Sequence, residues 1–152
     1  MNGFKINNTS ISSNSQTYFI ADIAASHDGD KSRAIDLIYS CAEKGANAAK
    51  FQHFEAETIV SDKGFKSLGK QKSHQSEWKK SVYDVYKEAS LPFEWTEDLK
   101  KAADKAGIDF FTSPYSFDLV DKVEEFVCAY KIGSGDLTWH QIIEHIAKKN
   151  LP

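Results

Sequence analysis

Tyr130-Lys131-Ile132-Gly133-Ser134-Gly135-Asp136, followed by Leu137 and Thr138, is the stretch on which the reading of this chain turns. An apolar run carries one lysine near its end and opens at once into a glycine-serine-glycine turn. Glycine lets a backbone approach an anion closely, and successive N–H groups in such a turn can point at phosphate or carboxylate oxygens. Lys131 adds a positive charge at the same place. The plain alternative is a tight turn beside a stray lysine.

A second segment shifts the balance. Asn47-Ala48-Ala49-Lys50-Phe51-Gln52-His53-Phe54 reads as a strand in which Lys50 and Gln52 stand two residues apart, so period-2 alternation puts both on one face. Polar groups inside an apolar strand are costly to bury without partners. Two strands thus each present a lysine near the C-terminal end, where α/β proteins bind ligands. His53 alternates away from Lys50 and Gln52, toward helix packing.

Outward from these strands the chain alternates regularly. Phe4 to Ile11, with Asn7-Asn8 at its centre, suggests a short hairpin. Residues 17–24 form a first core strand interrupted by Asp22. A helix follows from Asp30 or Ser32 and stops at Gly45. After the strand at 47–53, residues 55–75 read as a long polar loop, a solvated lid whose lysines could approach an anion. A helix is expected from about Glu77 to Ser90. Thr96 reads as the N-cap of the next, which ends at Gly107. Strand three is Ile108–Thr112, Ser116 caps a helix, and strand four is Cys128–Ile132. Thr138 and Gln141 read as a capping box for the last helix. The order is that of an α/β protein with a parallel sheet.

Composition narrows the function classes. The 152 residues are enough for one core, and 41% hydrophobic with 27% charged residues is ordinary for a globular domain. A net charge of −3 gives no support to nucleic-acid or membrane-surface binding. Cys41 and Cys128, far apart in sequence, suit free thiols in a reducing compartment. No apolar run has signal-peptide or bilayer-spanning length, so a cytoplasmic location is expected.

Four stretches in order resemble the sialic acid synthase family, which makes N-acetylneuraminate, pseudaminic or legionaminic acid. They are Phe19-Ile20-Ala21-Asp22-Ile23-Ala24-Ala25-Ser26-His27-Asp28-Gly29, Ala46-Asn47-Ala48-Ala49-Lys50-Phe51-Gln52, Phe110-Phe111-Thr112-Ser113-Pro114-Tyr115, and Ala129-Tyr130-Lys131-Ile132-Gly133-Ser134-Gly135-Asp136. The resemblance implies the first four β/α units of a TIM (β/α)8 barrel: an N-terminal hairpin segment at 1–16, then half of a synthase barrel at 17–152. It implies condensation of phosphoenolpyruvate with N-acetylmannosamine or a related amino sugar, giving a nine-carbon 2-keto acid and phosphate. The 55–95 region leans partly toward the pseudaminic acid synthase pattern.

By the same resemblance Lys50 and Lys131 neutralise phosphoenolpyruvate, and Gln52, Ser113, Ser134 and His27 complete the substrate-binding set. Asp22 and Asp136 stand where the family usually has glutamate, as catalytic carboxylates. A divalent metal, Mn2+ or Mg2+, is implied, with its ligands in the barrel half that this sequence lacks; the full-length protein is expected to be a homodimer. The fragment alone is expected to be inactive. Two other readings stay open: a class I aldolase with Lys50 or Lys131 as Schiff base, and a non-catalytic half barrel that binds an anion.

Overall fold

The computed structural model describes residues 3–67 and 78–152. Strands β1 (Phe4–Ile6) and β2 (Thr9–Ile11) form an antiparallel hairpin, with Asn7 at φ 48° in its turn. A separate parallel sheet has the order β3 (Ile20–Ala24), β4 (Ala48–His53), β5 (Asp109–Pro114). Helix α1 (Lys31–Glu43) connects the first two, and Asp30 caps it by accepting from the Ser32 and Arg33 N–H groups. Between β4 and β5 lie α2 (Ala56–Ile59), α3 (Asp62–Ser67), α4 (Val82–Ala89) and α5 (Thr96–Ala106). Helices α6 (Phe117–Val123) and α7 (His140–Ala147) follow.

Burial explains the layering. Ala34 and Ile38 of α1, Leu99 and Ala103 of α5, and Phe51 and Phe110 of the sheet are buried in one cluster. Helices α1 and α5 lie side by side over that face, tied at the edge by the Lys31–Asp98 ion pair. The α5 helix ends at Gly107, whose φ of 73° suits a residue without Cβ.

Several local expectations change. Residues 56–67, read as loop, hold two short helices, and the described helix in the next segment begins at Val82; Glu77, Lys70, Lys72 and His74 lie outside the described residues. Thr96 is not an N-cap. A 3-10 turn at Phe93–Trp95 carries the chain into α5, leaving Thr96 already helical at φ −56°, ψ −45°. Its hydroxyl instead meets His53 Nε2 at 2.9 Å. Thr138 caps nothing either: Ser134–Asp136 form a 3-10 turn, and α7 starts two residues after Thr138 with Trp139 as a cap lacking a side-chain bond. The expected fourth strand narrows to one parallel bridge, Thr112 with Tyr130, supported by Lys131 N–H donating to Thr112 C=O at 3.0 Å. Its other side meets the chain end, where Tyr130 N–H donates to Pro152 C=O at 2.9 Å. No helix among the described residues is long and apolar enough to cross a membrane.

Candidate functional site

Register places the polar residues. Asp22 pairs with Lys50, Lys50 with Phe111, and Gln52 with Ser113. Lys131 follows Tyr130, which bridges Thr112. Alternation therefore puts Asp22, Lys50, Gln52, Ser113 and Lys131 on one face of the sheet. Phe51, His53, Thr112 and Tyr130 take the other, against the helices. His53 shows the difference: its ring nitrogens meet Thr112 Oγ1 at 2.8 Å and Thr96 Oγ1 at 2.9 Å, and burial pushes its pKa down to about 4. Tyr130 likewise donates its hydroxyl to Val120 C=O.

On the first face Lys50 is 2% exposed. Its Nζ lies 2.5 Å from Asp22 Oδ1, close enough for an ion pair, but the angle is not that of a hydrogen bond. Among the described residues its ammonium protons have no acceptor. Ser113 Oγ is in the same condition, buried and without a hydrogen-bond partner. Buried polar atoms are nearly always partnered in folded proteins. Two orphans on one face of neighbouring strands, one cationic and one a hydroxyl, mark a place suited to an anion. Lys131 is half-buried on the neighbouring strand and forms no ion pair among the described residues.

His27 is the third orphan. It is fully buried, its Nδ1 accepts from Gly29 N–H at 3.1 Å, its ring meets Trp95 edge-on, and Nε2 has no partner among the described residues. Burial lowers its pKa, against the pull of Asp28. The loop around it is bent sharply: Ala24, Asp28 and Gly29 have φ of 53°, 50° and 73°. Ala24 is an alanine in the left-handed region, at the register shift between Asp22 and Ala24.

Beyond Lys131, Ser134 is exposed and Asp136 half-buried. Burial raises the Asp136 carboxyl above the usual carboxylate range, and the charge of Lys131 opposes this. Gly133 has an ordinary φ of −61°, so it is glycine for space. A Cβ there would stand 2.6 Å from Asp136 Oδ2, 2.9 Å from Tyr115 Cε1 and 3.1 Å from the Tyr115 hydroxyl. That hydroxyl accepts from Gln52 Nε2 at 2.8 Å. Tyr115 was not among the expected site residues. The signal available was its place one residue past β5, at the ligand-binding end of the sheet.

Among the described residues no three His, Cys, Asp or Glu side chains gather where they could hold a metal ion. That part of the chain does not fit the divalent metal implied by the resemblance.

The fold is that of a parallel-sheet β/α protein with a lysine-bearing, incompletely partnered face at its strand ends. The NeuB family model matches residues 37–152, and the chain belongs to that family, the sialic acid synthases. It is 33% identical over 150 residues to N,N'-diacetyllegionaminic acid synthase of Legionella pneumophila, covering 97% of this chain and 42% of that protein. It is 30% identical over 142 residues to a pseudaminic acid synthase of Campylobacter jejuni, covering 90% and 40%. The crystal structure of N-acetylneuraminic acid synthetase from Leptospira borgpetersenii superposes with a TM-score of 0.80 at 24% identity, covering 99% of this chain and 47% of that one. This last likeness concerns the fold. The chain spans about two fifths of the length of these curated relatives.

Proposed function

We propose that this chain supplies the first four β/α units of an eight-stranded barrel, residues 17–152, preceded by a hairpin segment at 1–16. The complete barrel condenses phosphoenolpyruvate with an N-acetylated amino sugar, N-acetylmannosamine or a relative, to a nine-carbon 2-keto sugar acid. The observation that carries this reading is the buried Lys50 ammonium and the buried Ser113 hydroxyl, both without a hydrogen-bond partner among the described residues, on the face shared with Lys131. Family membership supports the same chemistry.

In the reaction, C3 of phosphoenolpyruvate forms a bond to the aldehyde carbon of the open-chain sugar. Positive charge develops at C2, water adds there, and the C2–O bond to phosphate breaks as the ketone forms. Lys50 and Lys131 neutralise the phosphate and carboxylate, and fixed charges in a dry site hold these anions without reorganisation. Ser113 and Ser134 donate hydrogen bonds to the same oxygens. Gln52 and His27 complete the substrate contacts. Asp22 and Asp136 flank the lysines, where a carboxylate can take the proton of the attacking water. The family's divalent metal would polarise the aldehyde oxygen when bound; its ligands belong to the second half of the barrel, and the full protein works as a dimer. The described chain alone is inactive in this reading.

A Schiff-base aldolase would need a lysine with a free lone pair, and the Asp22 carboxylate beside Lys50 supports a charged ammonium instead. The test is phosphate release by the complete barrel with phosphoenolpyruvate and an N-acetylhexosamine, alongside borohydride trapping with pyruvate. Phosphate release with Lys50 and Lys131 unmodified is expected. A trapped adduct on either lysine without phosphate release would replace this reading with the aldolase.

A further inference from the structure

Beside the lysine face, at the same end of the sheet, lies a cavity of about 320 Å³ between β4, the start of the segment after β5, and α4. Its polar wall is Gln52 and Tyr115. Its other walls include Phe54, Val85, Tyr86 and Ala89. Tyr115 is held at this mouth by its backbone N–H, which donates to His53 C=O at 3.0 Å, and its ring stands edge-on to Phe54. Its hydroxyl accepts from the Gln52 amide at 2.8 Å. The phenolic proton therefore points away from Gln52, and among the described residues nothing accepts it. Burial raises the phenol above its ordinary pKa, against the Gln52 hydrogen bond, which keeps it a donor. Gly133 leaves open the space in which this hydroxyl sits.

We infer that the Tyr115 hydroxyl is a specificity residue that donates to the carbonyl oxygen of an acylamino group on the acceptor sugar, whose acyl methyl packs against Phe54, Tyr86 and Ala89. An acylamino group is the ligand piece that matches both walls: one strong acceptor directly attached to an apolar end. A bare hydroxyl offers no apolar end, and a free ammonium has only donors and cannot accept from the Tyr115 hydroxyl. A site built to hydrogen-bond a substrate group discriminates against analogues that lack it. This rests on the proposed function, since it takes the sugar to be the second substrate.

The test measures dissociation constants of the protein for N-acetylmannosamine, mannosamine and mannose by NMR titration. The unaltered protein is expected to prefer the N-acetyl sugar over mannose by about tenfold, the worth of one net hydrogen bond with its packing. Tyr115→Phe, which removes only the hydroxyl, is expected to bring the sugars within about twofold of one another. Ala89→Phe fills the cavity from α4 without touching the hydroxyl and is expected to remove the same preference. Equal binding of the sugars by the unaltered protein, a preference that survives Tyr115→Phe, or no sugar binding at all overturns the inference. Phosphoenolpyruvate binding by the unaltered protein, followed in parallel by phosphorus NMR, separates the two readings. Loss of phosphoenolpyruvate binding with the acyl preference intact would sink the proposed function and leave Tyr115 as an acylamino-sugar contact.

Discussion

Lys50→Met is expected to stabilise the protein while removing the proposed anion site. The lysine is 2% exposed, so its ammonium has given up nearly all its water. The return is one ion pair to Asp22, whose side chain is 63% exposed, with no hydrogen-bond acceptor for the ammonium protons among the described residues. Effective desolvation of a buried ion costs several kcal/mol, and replacing a buried ion pair with apolar residues of similar volume is often neutral or stabilising by about 1–4 kcal/mol; here only the lysine is buried, so its replacement alone relieves that cost. Methionine keeps the unbranched stem and its packing beside Phe111. Asp22, left behind, is already in water and leaves no buried unpaired charge. A gain of about 1–3 kcal/mol follows, which in a domain of this size raises the melting temperature by roughly 3–10 °C. Urea denaturation with and without phosphoenolpyruvate reads both the stability and the anion binding. The variant should show a higher midpoint at unchanged slope, and phosphoenolpyruvate should raise the midpoint of the unaltered protein only. A lower midpoint for Lys50→Met would mean that the buried ammonium is well satisfied in the free protein, and the case for an anion site there would fail.

Two further outcomes follow from single residues. His53 has its pKa pushed down to about 4 by burial, from an ordinary 6.5, so the unfolded chain binds the extra proton first as pH falls. Stability should hold above pH 6.5 and decline between pH 6.5 and 4, by up to about 3 kcal/mol, with buried His27 adding in the same direction. Denaturation midpoints across that range should flatten in a His53→Gln variant; an unchanged slope would remove His53 as the cause. Gly133→Ala puts a Cβ 2.6 Å from Asp136 Oδ2 and 2.9 Å from the Tyr115 ring, whereas Gly135→Ala meets nothing within 4 Å. The first should cost about 1–2 kcal/mol by overpacking and the second less than about 0.5 kcal/mol; equal costs would show that Gly133 is not there for space.

The parts of this molecule that were legible in the sequence are those governed by local periodicity. Lys50 and Gln52 share a face because strand side chains alternate, and His53 turns to the helices for the same reason. Asp30 at α1 and Ser116 at α6 follow from capping chemistry, each accepting backbone N–H groups of the first turn. What was hidden depends on residues distant in sequence. Thr96 carries every local mark of an N-cap, yet a histidine on β4 takes its hydroxyl and a 3-10 turn supplies the helix entry. The ion pair of Asp22 with Lys50 follows from strand register, which no local pattern encodes. Tyr115 looks like an ordinary aromatic after a proline until Gln52 of the neighbouring strand is seen to orient it. The fourth strand shrank to one bridge because the glycine-serine-glycine turn ends the extended backbone soon after Tyr130.

In the proposed function the seat of phosphoenolpyruvate is formed by Lys50, Ser113 and Lys131 together. This is tested most directly by a heteronuclear NMR titration of the protein with phosphoenolpyruvate, with backbone amides followed residue by residue. Saturable shifts concentrated at Lys50–Gln52, Ser113 and Lys131–Gly135, absent in a protein carrying both Lys50→Met and Lys131→Ala, are the expected result. Shifts confined to exposed lysines such as Lys101, Lys105 and Lys148, or shifts that persist in the double variant, would contradict it.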